Sequence, residues 1–453
     1  MTAPFSGLAD LVDPLAIGLK RNGQLRTLAE VRAEARRLVS DRLETVTESS
    51  TRTAAPDVDW YVWAARYLSA DDNRWWERAN AATFAGDDKR ERRGLAAHVD
   101  LMRSPKRPRG PVPEDLVDVL VDLSLASPSV CAIRALRRTL DVEPNELEIL
   151  NAAARIGWGF RSLLDTPEVI NVIEASENHH RAYWRQVLDY AARGNVQAVL
   201  DEYVHMLREW KVGGSTEPSV AGDIAAAAVD ALSFRTVTLD TRTPGPGGVG
   251  VETRKLRSRF AVRFGDRSSD QDDERKDVSA AAFNSPFWPF VMATTSIGQE
   301  GLDFHLYSHA LIHWNLPSDP VVLEQREGRV HRYKGHAVRK NVAAQFNSVE
   351  VAPDQDVWDE MFERAIPEGS DGIVPFWVYE GYGDGTSAAK VERIVPMIPM
   401  SREEAQIELL KQAAATYRMA FGQPRHDDLL EIIDGDTSLP SIDLAPRVRM
   451  TTG

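Results

Sequence analysis

The chain has 453 residues, which is too long for one compact core and predicts two or three domains. Its formal net charge of −14 argues against a protein whose whole surface binds nucleic acid, but it leaves room for a local basic groove. The single cysteine excludes an internal disulfide and a cysteine-rich zinc site, and the sequence shows no secretory signal pattern and no apolar run long enough to span a bilayer. We therefore expect a reduced, cytoplasmic protein with no membrane partner.

The segment of residues 1–232 shows almost only helical periodicity. Stretches such as PEDLVDVLVDLSLA and HRAYWRQVLDYAARGNVQAVLDEYVHMLREW repeat apolar residues at steps of three and four. Cys131 lies in the similar stretch SPSVCAIRAL, where a buried, inert thiol is a better interpretation than a nucleophile. We predict a mainly α-helical region over residues 1–232.

From about Ser233 onward, strand patterns alternate with helix patterns. The predicted strands are FRTVTLDTRT, SRFAVRFG, PFVMATTS, HALIHWNLP and NVAAQF, and the predicted helices among them are DVSAAAFNS and DPVVLEQREGRVHRYKG. Alternation of this kind indicates an α/β fold with a parallel sheet, which we assign to residues 233–350. Residues 351–453 are predicted to form a mostly helical C-terminal extension with a VPFWVYEGYGDG strand and turn, a long SREEAQIELLKQAAATYRMAF helix and a flexible tail.

The stretch MATTSIGQEGLDFH, residues 292–305, runs from a predicted strand end into a turn with two glycines and an acid. Glycine permits close backbone approach, so this turn is suited to holding a ligand. Histidines recur at His305, His309 and His313, but residues four apart in a strand lie roughly 13 Å from each other. Structural or surface histidines are therefore a better interpretation than a shared metal site, and we predict no metal site in the chain.

The stretch EQREGRVHRYKGH is predicted to be helical and strongly basic. In a continuous helix, Arg326, Arg329 and Arg332 project from one surface, because they are spaced three residues apart. Gly328 lies between two of them, although glycine costs about 1 kcal/mol in a helix interior. One interpretation is a guanidinium cluster that binds a polyphosphate, for which arginine is well suited. The other is a solvated basic face, and this stretch alone does not decide between them.

Taken together, TSIGQEGLDF, HWNLP and LEQREGRVHRYKG resemble motifs V and VI of superfamily-two helicases of the DEAD/DEAH type, especially the Swi–Snf-like branch. The order and spacing of the stretches match, and the resemblance covers residues 233–350. It implies a RecA-like lobe of the P-loop NTPase type, the second of a helicase, with a large α-helical region before it and a helical extension after it.

The resemblance also implies roles for individual residues. Thr295 would contact the backbone of a nucleic acid, expected to be DNA, and Arg329 and Arg332 would be arginine fingers. Four further residues would bind ATP, which is expected together with Mg²⁺: Gly301, Asp303, Gln325 and Arg326. More distantly, YRMAFGQPRHDDLLEII and the helical region resemble large helicases of bacterial restriction and phage-defence regions, which implies other defence-system proteins as partners.

The chain also departs from the helicase pattern. It contains no GxxxxGK[ST] phosphate-binding loop, and the strand that opens the second lobe of these enzymes has no counterpart. Residues 201–205, DEYVH, superficially resemble the acidic magnesium-binding motif, but they continue a helix in both directions, so we interpret them as a solvated helix face. We therefore expect a first RecA-like lobe to be supplied in cis or in trans, and negligible ATPase activity from this chain alone.

Two alternatives remain open at this point. One is a non-catalytic remnant of such a helicase that binds nucleic acid or protein, in which the helical region is the working part. The other is an unrelated α/β protein with a chance basic helix, which the pairing of the two motifs argues against.

Overall fold

The computed structural model describes residues 6–19, 23–47, 52–53, 58–68, 111–141, 146–176, 181–232, 237–244, 251–258, 279–294, 303–369, 372–379, 388–396 and 402–421. The chain divides into two compact units, Met1–Ala293 with Phe346–Glu368 and Thr294–Gln345 with Gly369–Gly453. Each unit is described separately below.

Most of the described residues are helical. The helices are α1 (Ser6–Leu11), α2 (Pro14–Gly18), α3 (Leu28–Thr47), α4 (Val58–Leu68), α5 (Leu116–Ala126), α6 (Pro128–Thr139), α7 (Glu146–Leu164), α8 (Pro167–Ser176), α9 (Tyr183–Arg193), α10 (Val196–Lys211), α11 (Ala221–Leu232), α12 (Pro320–Gly328), α13 (His336–Phe346), α14 (Val357–Ala365) and α15 (Glu403–Phe421). The strands are β1 (Arg52–Thr53), β2 (Val112–Pro113), β3 (Val237–Pro244), β4 (Val251–Ser258), β5 (Ala310–Ile312) and β6 (Glu392–Ile394).

The core of the first unit lies around α6, which packs against α7 and α10, while α11 packs against α7. The apolar residues of α6 repeat at helical spacing, and Val130, Ile133 and Leu136 are fully buried. Cys131 is buried as predicted, and burial raises the pKa of its thiol to about 12. In the part of the chain described, no single helix is long and apolar enough to cross a membrane; α5 and α6 meet that test only together, across a 44° bend.

The interpretation of residues 201–205 as a solvated helix face is wrong. Asp201 and His205 are buried on the inner face of α10. Asp201 accepts hydrogen bonds from Arg138 Nη1 at 2.6 Å and from Gln197 Nε2 at 3.0 Å. His205 Nδ1 lies 2.9 Å from Asp356 Oδ2. Polar residues on a buried helix face look solvated in sequence, because their partners come from other helices.

Strands β3 and β4 form an antiparallel hairpin, with Val237 opposite Ser258 and Pro244 opposite Val251. Strand β3 confirms the predicted strand FRTVTLDTRT. Strand β4 begins inside a stretch predicted to be loop, and its pairing with β3 differs from the parallel arrangement that we predicted for residues 233–350. A short connection between adjacent strands favours antiparallel pairing, because parallel pairing needs a long crossover.

In the second unit, β5 and β6 pair in parallel, with Ala310 opposite Glu392 and Ile312 opposite Ile394. The pairing is extended by His313, whose backbone N donates to Ile394 O at 2.8 Å. Strand β5 confirms a strand within HALIHWNLP, and α15 confirms the predicted SREEAQIELLKQAAATYRMAF helix.

Three other strand predictions are wrong for the residues that the structure describes. Residues 289–294 and 374–379 form loop and turn, and NVAAQF lies within α13. A short apolar run does not distinguish strand from helix by periodicity, and alanine and glutamine favour the helix.

The predicted helix of residues 319–335 ends early. Asp319 caps the N-terminus of α12, since its Oδ1 accepts from Val321 N at 2.9 Å, and Pro320 occupies the first turn. The helix stops at Gly328, and a turn follows in which Lys334 has a positive φ of 47°. The three arginines therefore do not lie along one continuous helix.

Candidate functional site

The loop that begins at Asp303 and the basic turn after α12 lie side by side in the second unit. Phe304 N donates to Arg329 O at 2.9 Å, and His336 N donates to His305 O at 3.0 Å. The first of these bonds satisfies a carbonyl group at the C-terminal end of α12, where no N–H group of the helix itself can donate to it. The structure thus brings together two stretches that the sequence predicted to form one site.

An ion pair links the two stretches at the surface. Arg332 donates from Nε at 3.2 Å and from Nη2 at 3.1 Å to the same oxygen, Oδ1 of Asp303. The side chains of Arg332 and Asp303 are 43% and 38% exposed, and ion pairs this accessible contribute about 0–1 kcal/mol. The pair is therefore easy to open. Arg329, the other predicted arginine finger, is also partly exposed and lies three residues before Arg332.

Two of the remaining predicted site residues, Gln325 and Arg326, are described, and they are not gathered with this pair. Arg326 points back toward the loop after β5, where its Nη1 donates to Asn315 O at 2.9 Å. Gln325 is exposed on α12. Thr295 and Gly301 lie outside the described residues, and their predicted roles remain predictions.

Arg339 on α13 is a buried residue that the sequence reasoning missed. Its guanidinium donates to Lys334 O at 2.7 Å and to Leu306 O, and it lies 5.2 Å from the Tyr307 ring. It therefore holds the loop after Asp303 against the basic turn. Recognition of α13 as a helix would have placed Arg339 one turn from the fully buried Val342.

A second ion pair ties α12 to β6. Both oxygens of the buried Glu327 carboxylate accept from Arg393, with Nη2 to Oε2 at 2.8 Å. His313 Nε2 lies 3.5 Å from the same carboxylate. Burial raises the pKa of Glu327, but the hydrogen bonds from Arg393 and the proximity of His313 outweigh it and lower the pKa to about 2. No sequence signal predicts a pair whose members lie 66 residues apart.

Three histidines lie around the same loop. His309 Nδ1 is 3.0 Å from His336 Nδ1, an arrangement in which one neutral ring donates to the other. Burial lowers the pKa of His336 to about 3 and that of His305 to about 4. These values keep the rings uncharged near neutral pH, which agrees with structural histidines.

The first unit contains a separate charged cluster between α10 and α14. His205, Glu209 and Asp359 offer three possible ligand atoms within 4.8 Å of one another. However, Arg208 Nη2 donates to Glu209 at 2.8 Å and to Asp359 at 2.9 Å. Because an arginine already supplies the positive charge there, the cluster serves as an ion-paired contact between two helices.

The loop and the basic turn lie in the part of the chain that resembles known proteins. Residues 249–334 match the helicase conserved C-terminal domain family. The match contains Asp303, Arg329 and Arg332, and it supports a helicase C-terminal lobe, a domain class with a RecA-like fold that generally binds nucleic acid. No curated protein and no solved structure matches the chain.

Proposed function

We propose that the chain supplies the C-terminal motor lobe of an ATP-dependent nucleic-acid helicase or translocase, of the Swi–Snf-like branch of superfamily two. The family match at residues 249–334 supports the lobe. The observation that carries the proposal further is the contact of the Asp303 loop with the basic turn, through the Phe304–Arg329 backbone bond and the Asp303–Arg332 ion pair.

The proposed chemistry uses the exposed guanidinium groups. Charge on a transferring γ-phosphoryl group needs cations from the far side of the nucleotide cleft, and Arg329 and Arg332 would supply them. Asp303 would contact the ribose. The ATP site would be shared with Gly301, Gln325 and Arg326, and Thr295 would contact the phosphate backbone of DNA.

In this proposal the Asp303–Arg332 pair is a resting contact. Its two members have different targets on the nucleotide, so the pair must open when ATP binds. An exposed pair contributes about 0–1 kcal/mol, so contact with a triphosphate easily offsets its loss.

The proposal assigns the Walker lysine and the acidic magnesium ligand to a first RecA-like lobe, in cis or in trans. ATP with Mg²⁺ would bind between the two lobes, and the enzyme would act in the cytoplasm, as part of a bacterial defence or restriction system with other defence proteins. Turnover would depend on both lobes, because arginine fingers without a phosphate-binding loop do not hold ATP.

The test uses the purified chain with and without such a first lobe, chosen from an adjacent reading frame that carries GxxxxGK[ST]. We expect negligible ATP turnover from the chain alone and DNA-stimulated turnover from the mixture. Arg329→Ala should lower turnover by about 10³-fold or more, the scale of an arginine finger. Arg364→Ala is the matched control, because Arg364 lies on the exposed surface of α14 and pairs only locally with Glu360.

Two other outcomes of this test would contradict parts of the proposed function. ATP turnover by the chain alone that disappears in Arg329→Ala would contradict the need for a first lobe. Salt-sensitive DNA binding by the mixture without any turnover would favour the alternative, a non-catalytic module that binds nucleic acid or protein.

A further inference from the structure

Three aromatic rings cluster beside the basic turn of the second unit; we call Tyr333, Phe376 and Trp377 the aromatic platform. The rings of Tyr333 and Phe376 stack with centroids 5.4 Å apart and planes 15° apart. Trp377 meets Tyr333 edge to face, at 6.2 Å and 70°. Stacked and edge-to-face pairs at these distances are favourable, so the rings support one another.

Backbone hydrogen bonds hold the platform in place. Lys334 N donates to Phe376 O at 2.7 Å, and Trp377 N donates to Ile373 O at 2.7 Å. His331 Nε2 lies 3.1 Å from Trp377 O. The platform therefore joins the basic turn to the segment of residues 372–379, and its rings are pre-positioned.

Two of the three platform rings remain open to solvent. Tyr333 and Trp377 are each 40% exposed, while Phe376 is partly buried behind Tyr333. Ile373 and Val378, which lie close to Trp377 in sequence, are 46% and 41% exposed. Rings that only filled a core would be buried, and exposed aromatic and apolar side chains grouped in one segment suit a contact with another molecule.

A buried cation lies against the platform. Lys334 is only 3% exposed, and its ammonium lies 5.7 Å from the Tyr333 ring and 6.0 Å from the Phe376 ring, so it stabilises the rings by cation–π contact. Tyr333 also belongs to residues 249–334, which match a domain family that generally binds nucleic acid. Exposed aromatic rings in such a domain match the chemistry of a single-stranded nucleic acid, whose bases stack on aromatic side chains.

We propose that the aromatic platform stacks a base of single-stranded nucleic acid. This proposal rests on the nucleic-acid binding in the proposed function, and not on ATP turnover. It assigns a second contact with the strand, separate from the backbone contact predicted for Thr295.

The test compares two fluorescein-labelled 15-nucleotide strands, one of deoxythymidine and one of abasic residues, in fluorescence anisotropy with the full chain. The wild type should bind the thymidine strand more tightly, because only that strand has bases to stack. Trp377→Leu should weaken binding to the thymidine strand by about tenfold and leave the abasic strand unchanged, since loss of one stacked base has this scale. Tyr333→Leu should act in the same direction and serves as a second variant should Trp377→Leu not fold.

Trp314→Leu is the matched control. Trp314 is 67% exposed in the same unit, but it is not one of the platform rings. It should leave binding to both strands unchanged. Circular dichroism spectra should agree among all the variants.

Each other result overturns the proposal in an identifiable way. Equal binding of both strands by the wild type and by Trp377→Leu removes the platform but leaves the proposed function intact. If Trp377→Leu weakens binding to both strands equally, the rings only stabilise the local fold and do not stack a base. Absence of salt-sensitive binding to either strand contradicts the proposed function itself.

Discussion

Arg134 in the first unit and Arg332 in the second have opposite environments. In the first unit, Arg134 is fully buried and saturated: its guanidinium donates to Gln197 Oε1 at 2.9 Å and to four backbone carbonyl groups. In the second unit, Arg332 is 43% exposed and donates to a single carboxylate oxygen. A saturated arginine cannot contact a ligand without leaving buried carbonyls unpaired, whereas an exposed one with a single weak partner can. Arg339 shows that both kinds occur within a few residues, since it is fully buried and positions the turn that carries Arg332.

The largest effect on stability is expected from Arg134→Met. The substitution should lower the free energy of unfolding by at least about 3 kcal/mol, because several buried carbonyl groups lose their donor together. Urea unfolding monitored by circular dichroism measures the change. The control is Arg137→Met on the same helix. Its partners Asp10 and Glu146 are 65% and 50% exposed, so loss of these pairs leaves solvated carboxylates and should cost no more than about 1 kcal/mol. Equal losses for the two variants would show that burial does not separate the two kinds of arginine.

A smaller effect on stability is expected from His305 and His336, the buried histidines near the Asp303–Arg332 ion pair. In unfolded chains histidine titrates near 6.5, whereas burial lowers the pKa of His336 to about 3 and that of His305 to about 4. As the pH falls below about 6.5, the unfolded state takes up protons first, so the free energy of unfolding decreases and levels off only near the folded values. The positive charges of Arg339 and Lys340 also lower the pKa of His336. At His309, which contacts His336, the negative charge of Glu392 acts in the opposite direction and raises the pKa.

The measurement is urea unfolding between pH 7 and pH 5, in wild type and in His336→Gln. Each such histidine should contribute up to roughly 1.4 kcal/mol per pH unit, and the variant should lose one of these contributions. An unchanged pH dependence in His336→Gln would show that this ring is not held neutral by the fold.

The smallest effect is expected at the exposed pair itself. Asp303→Asn should change the free energy of unfolding by less than about 1 kcal/mol. Arg332→Gln should change it by the same amount, because each substitution removes the same accessible ion pair. Differential scanning calorimetry measures both. A loss above about 2 kcal/mol would make the Asp303–Arg332 contact structural, and the two residues would then be poorly suited to contact a nucleotide.

Several elements follow from local sequence alone. The three- and four-residue repeat of apolar residues was enough to predict the helices of the first unit and α15, because an amphipathic helix records its buried face in its own sequence. Strand β5 lies within HALIHWNLP, a stretch whose residues predicted a strand. The two stretches later found within the helicase match were recognisable from residue type and spacing.

The misses have two causes. The helical state of NVAAQF was ambiguous in the local pattern, because a short apolar run fits either a strand or a helix. The burial of Arg339 depends instead on a contact with Leu306 O, a group that is distant in sequence. The same holds for Asp201, which looked solvated but is buried against Arg138. Charge alone does not reveal whether a side chain faces water, because a distant partner can make its burial favourable.

Local pattern thus determined where most helices lie and that an acidic glycine loop precedes a basic turn. Long-range packing determined that the loop and the turn touch, that Arg339 is buried between them while Arg332 remains accessible, and that the residues around Trp377 join the site. The physical reason is that helical periodicity and capping act over a few residues, whereas burial and hydrogen-bond partners are set by whichever segments the fold brings together.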